Sequence, residues 1–194
     1  MQSVNLLSEN DNLTNYYYFS NSFTDDEIEK IKELSKKYSQ ISGTLGGGIV
    51  DPDYRKSTIC WIPLTEESQF IYDKIFNFVK DANKKMWNFN VSSNRNQIQF
   101  GEYNSNNEGF YDWHMDIGSG SQSTRKISVS VQLSDEDSYE GGNLEFMIHR
   151  EIRLAPRKKA STIIFPSFFN HRVTKVTKGI RQSLVLWIDG PAYV

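Results

Sequence analysis

Cysteine is nearly absent. One residue, Cys60, stands alone in 194, which excludes an intramolecular disulfide framework and a cysteine-rich zinc site and fits a reducing cytoplasm. Charge of one sign is lacking as well: the formal net charge is −2, so the strong positive field of a phosphate-backbone binder is missing and nucleic acid is not an expected partner. No stretch approaches the roughly 20 apolar residues of a membrane span. The opening MQSVNLLSENDNL has neither a basic leader nor an apolar run of signal-peptide length, so the expectation is a cytoplasmic protein with no membrane partner. Histidine is scarce too, with three in the chain.

What is present describes a folded domain. Hydrophobic residues make up 38% and aromatic ones 13%, a globular composition that favours a sheet-rich core. The length suits one domain over 1–194, with 1–90 as a helical support layer carrying the first strands and 91–194 as the β core. Residues 1–15 are polar and expected to be loosely ordered, and 15–19 read as a short aromatic strand. The stretch SFTDDEIEKIKELSKKY pairs Thr24 with Glu27 in a capping box and places Ile28, Ile31 and Leu34 on one face, predicting an amphipathic helix. A glycine run, Gly46-Gly47-Gly48, lies in 39–57, with no following Lys-Ser/Thr or helix start to make it a phosphate cradle, and is read as a flexible loop. Residues 65–87 repeat Phe70, Ile71, Ile75, Phe78, Val79, Ala82 and Met86 at helical steps. Beyond them come short strand-like segments: WNFNVS, NQIQFGEY, FYDWHMD, RKISVSVQLS, GGNLEFMI, STIIFPS and SLVLWID. Two helices followed by strands predict an α+β, mainly β fold, with helices on one side of an antiparallel sandwich or barrel.

Two of the histidines sit in contexts that a metal site requires. In FYDWHMD, strand alternation turns His114 and Asp116 to the same face. His171, in FPSFFNHRV, follows far enough along for intervening strands to return it to the same ion. Two imidazoles and a carboxylate make the facial set of non-haem Fe(II) oxygenases. Arg181, ten residues on and across a turn expected at Lys178-Gly179, has the fork for bidentate carboxylate recognition, and Ser183 adds a hydroxyl on that face. Taken singly, each has a plainer reading: core histidines, a surface ion pair for Arg181, and ordinary core aromatics for Tyr103 and Trp187. His149 reads as a strand-surface residue and Arg157-Lys158-Lys159 as a turn. Asp112 reads as a solvated or supporting group.

Three motifs carry a family resemblance: YNSNNEGFYDWHMD, ISVSVQLSDEDSYEGGNLEF and STIIFPSFFNHRVTKVTKGIRQSLVLWIDG. Together they cover about 97–190 and resemble the prolyl-hydroxylase-like branch of the 2-oxoglutarate/Fe(II) oxygenases, especially the bacterial PKHD-type hydroxylases. The resemblance implies a double-stranded β-helix, with Fe(II) on His114, Asp116 and His171. It further implies 2-oxoglutarate held by Arg181 with Ser183 and Tyr103, O₂ as the oxidant, and ascorbate as a candidate reductant. By the same resemblance Trp187 walls the iron site and Arg125 lies near bound substrate. Gln132 stands where some relatives have a tyrosine that reaches the distal carboxylate. The implied reaction is hydroxylation with release of succinate and CO₂, first on peptidyl proline in a protein or peptide, with 39–57 as a lid. The rivals are hydroxylation of a small molecule or free amino acid, a catalytically idle metal-binding interaction module, and a zinc enzyme that activates water.

Overall fold

The computed structural model describes residues 15–92 and 96–192; nearly all of the polar stretch expected to be loose lies outside them. Helix α1 (Asp25–Ser35) begins where the capping box places it. The Thr24 hydroxyl accepts the Glu27 N–H at 3.2 Å, and the Glu27 carboxylate accepts the Thr24 N–H at 2.8 Å, so two otherwise orphaned donors are satisfied. Helix α2 (Gln69–Met86) starts four residues later than expected. Ser68 takes the Thr65 N–H at 2.8 Å and donates to the Pro63 carbonyl at 2.6 Å, which fixes 65–68 as a turn instead. After α2, WNFNVS is not a strand. The Asn83 side chain accepts the Phe89 N–H and donates to the Phe89 carbonyl, both at 2.8 Å, folding the chain back over the helix end.

The strands are β1 (Tyr17–Phe19), β2 (Ile41–Ser42), β3 (Arg55–Lys56), β4 (Thr58–Ile62), β5 (Ile98–Asn104), β6 (Phe110–His114) and β7 (Arg125–Gln132). They continue with β8 (Tyr139–Gly141), β9 (Leu144–Ile148), β10 (Glu151–Leu154), β11 (Thr162–Pro166), β12 (His171–Val173) and β13 (Val176–Asp189). The loop expected at 39–57 thus contains two short strands, β2 and β3. A major sheet runs β1-β11-β7-β13-β5-β4-β2, with β8 added on β13, and a minor sheet runs β10-β9-β12-β6-β3. From β5 onward the chain crosses repeatedly between the sheets: β5, β7, β11 and β13 belong to the major sheet, β6, β9 and β12 to the minor. That winding is the double-stranded β-helix. The turn expected at Lys178-Gly179 is not there. The chain passes from β12 to β13 at Thr174-Lys175, and Gly179 lies within β13 at φ +69°, where an added Cβ would stand 2.2 Å from the Ser138 carbonyl oxygen. The glycine admits β8 alongside β13.

Period-two alternation gives the major sheet two unlike faces. Ile98, Phe100, Ile127, Val129, Val131, Leu184, Leu186 and Ile188 form one core with Ile31, Ile71, Ile75 and Val79 of the helices. The residues between them, Gln99, Ser128, Ser130, Gln132, Arg181 and Ser183, are equally buried but polar, and they belong to the opposite face. No helix among the described residues is long and apolar enough to cross a membrane.

Candidate metal and co-substrate site

A cavity of about 350 Å³ opens between the sheets, and His114, Asp116, His171 and Arg181 all line it. His114 ends β6 and pairs with His171 on β12, so two antiparallel neighbours in the minor sheet bring the imidazoles to 4.2 Å between centroids. Asp116 sits just past β6, held by its N–H to the Ser167 carbonyl at 2.9 Å. His114 Nε2 is 3.8 Å from Asp116 Oδ1, and His171 Nε2 is 3.6 Å from Asp116 Oδ2. The other nitrogen of each ring faces a carbonyl: His114 Nδ1 that of Asp112 at 2.7 Å, His171 Nδ1 that of Phe169 at 2.9 Å. An acceptor at Nδ1 assigns the proton there and leaves the Nε2 lone pair for the cavity.

The electrostatics suit a cation. Burial, with the His171 imidazole second, pushes His114 down to about 3, so it is a neutral donor at ordinary pH. Burial alone would raise the Asp116 carboxyl. The two histidines, with smaller help from Ser128 and Trp187, outweigh it and hold the group below the usual carboxylate range. Asp116 Oδ2 is nonetheless buried without a hydrogen-bond partner, a costly state that a bound cation relieves. The ligand atoms of the three residues all lie within 4.8 Å of one another. Two nitrogens and one carboxylate, with no thiolate, form a donor set that accommodates Fe(II).

Arg181 enters from the major sheet, 1% exposed. It donates to Gln132 Oε1 at 3.0 Å and to Ser183 Oγ at 3.3 Å, while its Nε–H has no partner. The Tyr103 ring lies 5.4 Å from its guanidinium carbon. Gly142, at φ +61°, makes room for the side chain, because a Cβ there would stand 3.0 Å from Arg181 Cδ. Among the described residues no carboxylate pairs with this guanidinium, so a permanently charged group is buried against neutral acceptors only.

The structure therefore brings His114, Asp116, His171, Arg181, Ser183 and Tyr103 to one cavity, along with Trp187 and Arg125. Arg125 stacks on Trp187 at 4.0 Å and donates to the Asp116 carbonyl at 3.1 Å. His149 stays apart, exposed in the β9–β10 turn at φ 51°, rather than on a strand. The segment Arg157-Lys158-Lys159 does link strands, and Arg157 there clamps the carbonyls of Gly141 and Tyr139 at 2.6 and 2.9 Å. Sequence reasoning missed Arg55 and Tyr111. Tyr111 stacks on His114 at 3.5 Å between centroids, and Arg55 lies 4.5 Å from the Tyr111 centroid. A signal for Arg55 was available: Arg-x-Ser occurs at Arg55/Ser57 as at Arg181/Ser183, and alternation turns each pair to one face.

Residues 98–189 match the model of the 2OG-Fe(II) oxygenase superfamily. The chain is similar to that superfamily over this stretch, which runs from β5 through β13 and includes His114, Asp116, His171 and Arg181. A PKHD-type hydroxylase of Synechococcus sp. (strain CC9311) is 39% identical over 82 residues, 42% of this chain and 37% of that protein. The chain thus matches little more than a third of that relative's length. Among solved structures, a Trichoplax adhaerens prolyl hydroxylase in complex with a hypoxia inducible factor oxygen degradation domain peptide fragment superposes with a TM-score of 0.77 at 16% identity. That match covers 92% of this chain and 85% of the other. A Pseudomonas putida prolyl-4-hydroxylase gives 0.71 at 14% identity over 91% and 92%. At such identities these two establish the oxygenase fold, the double-stranded β-helix, over nearly the whole chain.

Proposed function

We propose that the chain is an Fe(II)- and 2-oxoglutarate-dependent dioxygenase that hydroxylates peptidyl proline in a protein or peptide, releasing succinate and CO₂. The observation that carries this reading is Arg181: a buried guanidinium with no counter-ion among the described residues, sharing one cavity with a His-Asp-His cluster in which Asp116 Oδ2 has no hydrogen-bond partner. Each unsatisfied group calls for an ion of opposite sign, and a metal chelated by a dicarboxylate keto acid supplies both.

His114, Asp116 and His171 would hold the iron, which when bound supplies O₂ activation coupled to decarboxylation of 2-oxoglutarate. The protein's own residues do the positioning. The Asp112 and Phe169 carbonyls fix the two imidazole tautomers. Arg181 would take the distal carboxylate of the co-substrate through its fork, and Ser183 and Gln132 anchor that fork by accepting one hydrogen bond each. Tyr103 and Trp187 wall the cavity and exclude water. No side chain needs to act as general acid or base. Ascorbate, in this reading, serves as reductant, and the compartment is the cytoplasm. The proline choice is supported by the names of the prolyl hydroxylases that share the fold, and hydroxylation more generally by the PKHD-type hydroxylase relatives.

The test is succinate formation by Fe(II)-loaded chain supplied with 2-oxoglutarate, O₂ and a panel of proline-containing peptides. Peptide-stimulated succinate with a 16 Da gain on proline is expected. Succinate stimulated only by free amino acids or small molecules would overturn the substrate. No succinate under any condition would overturn the activity.

A further inference from the structure

Arg55 lines the same cavity, is 6% exposed, and has no part in the chemistry above. It donates Nε–H to Ser57 Oγ at 2.8 Å, an Nη1 hydrogen to the Thr44 carbonyl at 2.9 Å and an Nη2 hydrogen to Gln99 Oε1 at 2.9 Å. All three acceptors are neutral, and no carboxylate among the described residues pairs with it. Arginine keeps its charge in proteins and has five N–H groups, so two remain for a ligand. A mere pin for the 44–46 segment needs no charge, and burying one without a counter-ion is costly.

Position and charge balance indicate what the counter-ion is. Arg55 and His114 both pack against the Tyr111 ring, which puts the guanidinium beside the reaction site and not at the cavity's far end. A divalent ion and Arg181 carry three positive charges, and Asp116 with the two carboxylates of 2-oxoglutarate carries three negative ones. The loaded site is then neutral, and Arg55 is left over. Arg125 is engaged otherwise: burial is the largest influence on it and lowers its pKa, the Asp189 carboxylate offsets part of that, and its guanidinium stacks on Trp187 and donates to the Asp116 carbonyl.

We propose that Arg55 is a specificity-determining residue that receives a carboxylate of the substrate, so that the preferred substrate is an acidic peptide. Its Asp or Glu would lie one or two residues from the hydroxylated position, the distance that one or two residues of extended chain and an acidic side chain span. The inference rests on the oxygenase reading of the site and narrows its substrate.

The experiment uses the full chain loaded with Zn(II) and 2-oxoglutarate, which does not turn over, and three peptides, Ala-Ala-X-Pro-X-Ala-Ala with X as Glu, Gln or Lys. Calorimetric titration compares wild type with Arg55→Met, Arg55→Glu and Arg55→Lys. Wild type is expected to bind the Glu peptide about tenfold more tightly than the Gln peptide, the worth of one charge-assisted contact. Arg55→Met removes that preference, Arg55→Glu turns it toward the Lys peptide, and Arg55→Lys restores part of it. The inference is overturned if wild type does not distinguish Glu from Gln, absence of binding included, or if the preference survives in Arg55→Met. It is equally overturned if Arg55→Met weakens 2-oxoglutarate binding as Arg181→Ala does, since Arg55 would then serve the co-substrate. Failure of the oxygenase reading looks different: 2-oxoglutarate does not bind, or its binding ignores Arg181.

Discussion

The two faces of the major sheet are equally dry but chemically opposite. On the helix side, β5, β7 and β13 present Ile98, Val129, Leu184 and Leu186. On the cavity side the same strands present Gln99, Ser130, Gln132, Arg181 and Ser183, all under 6% exposed. A core gains nothing from buried polar side chains unless they are satisfied. On the cavity face they are satisfied only in part, with Arg181 Nε unpartnered. The contrast separates the face that packs on the helices from the face that lines the cavity.

Substitution should divide along the same line. The largest effect is expected on the cavity side: Asp116→Ala removes the one carboxylate of the triad and should abolish 2-oxoglutarate turnover while the metal-free protein still folds, as a succinate assay and thermal melts would show. On the helix side, Leu186→Ala should cost about 2–5 kcal/mol of stability in denaturant titration, with 2-oxoglutarate affinity unaltered in the folded protein. Loss of affinity without loss of stability there would erase the distinction between faces.

A pH effect of intermediate size belongs to the cavity. The folded pKa of His114 is depressed to about 3, below its unfolded value of about 6.5. Below that unfolded value the unfolded chain binds the proton and the folded one does not. Stability from this group is therefore complete above about pH 6.5 and is lost as pH falls from there toward 3. Melts of the metal-free protein should show the loss, and His114→Gln should flatten that part of the profile. The smallest effect lies farthest away: Thr24→Ala deletes the α1 cap and should cost about 1 kcal/mol, without changing the activity.

Legibility in the sequence followed sequence-local physics. The α1 cap, the α2 stripe and the alternation of β7 and β13 are local patterns, and each was readable. His114 and Asp116 were readable because they stand two apart at the end of one strand-like segment, although Asp116 falls just past β6, and His171 with Arg181 because their motif resembles a known family's. What failed depended on distant partners. WNFNVS has strand-like aromatics, but Asn83 bends it back over α2. Gly179 looks like a turn residue and instead gives β8 room beside β13. Arg55 meets Tyr111 only because β3 pairs with β6, more than fifty residues away; its Arg-x-Ser spacing marks a shared face with Ser57 but does not announce that pairing.

The central claim is that Arg181 waits for the distal carboxylate of 2-oxoglutarate. The most direct test is anaerobic titration of 2-oxoglutarate into Fe(II)-loaded wild type and Arg181→Ala, following the visible charge-transfer absorption of the chelated metal. The account predicts a saturable band in wild type and an affinity weakened by roughly two orders of magnitude in the variant, consistent with loss of a buried bidentate charge pair. No band in wild type, or identical curves for the two proteins, would contradict it.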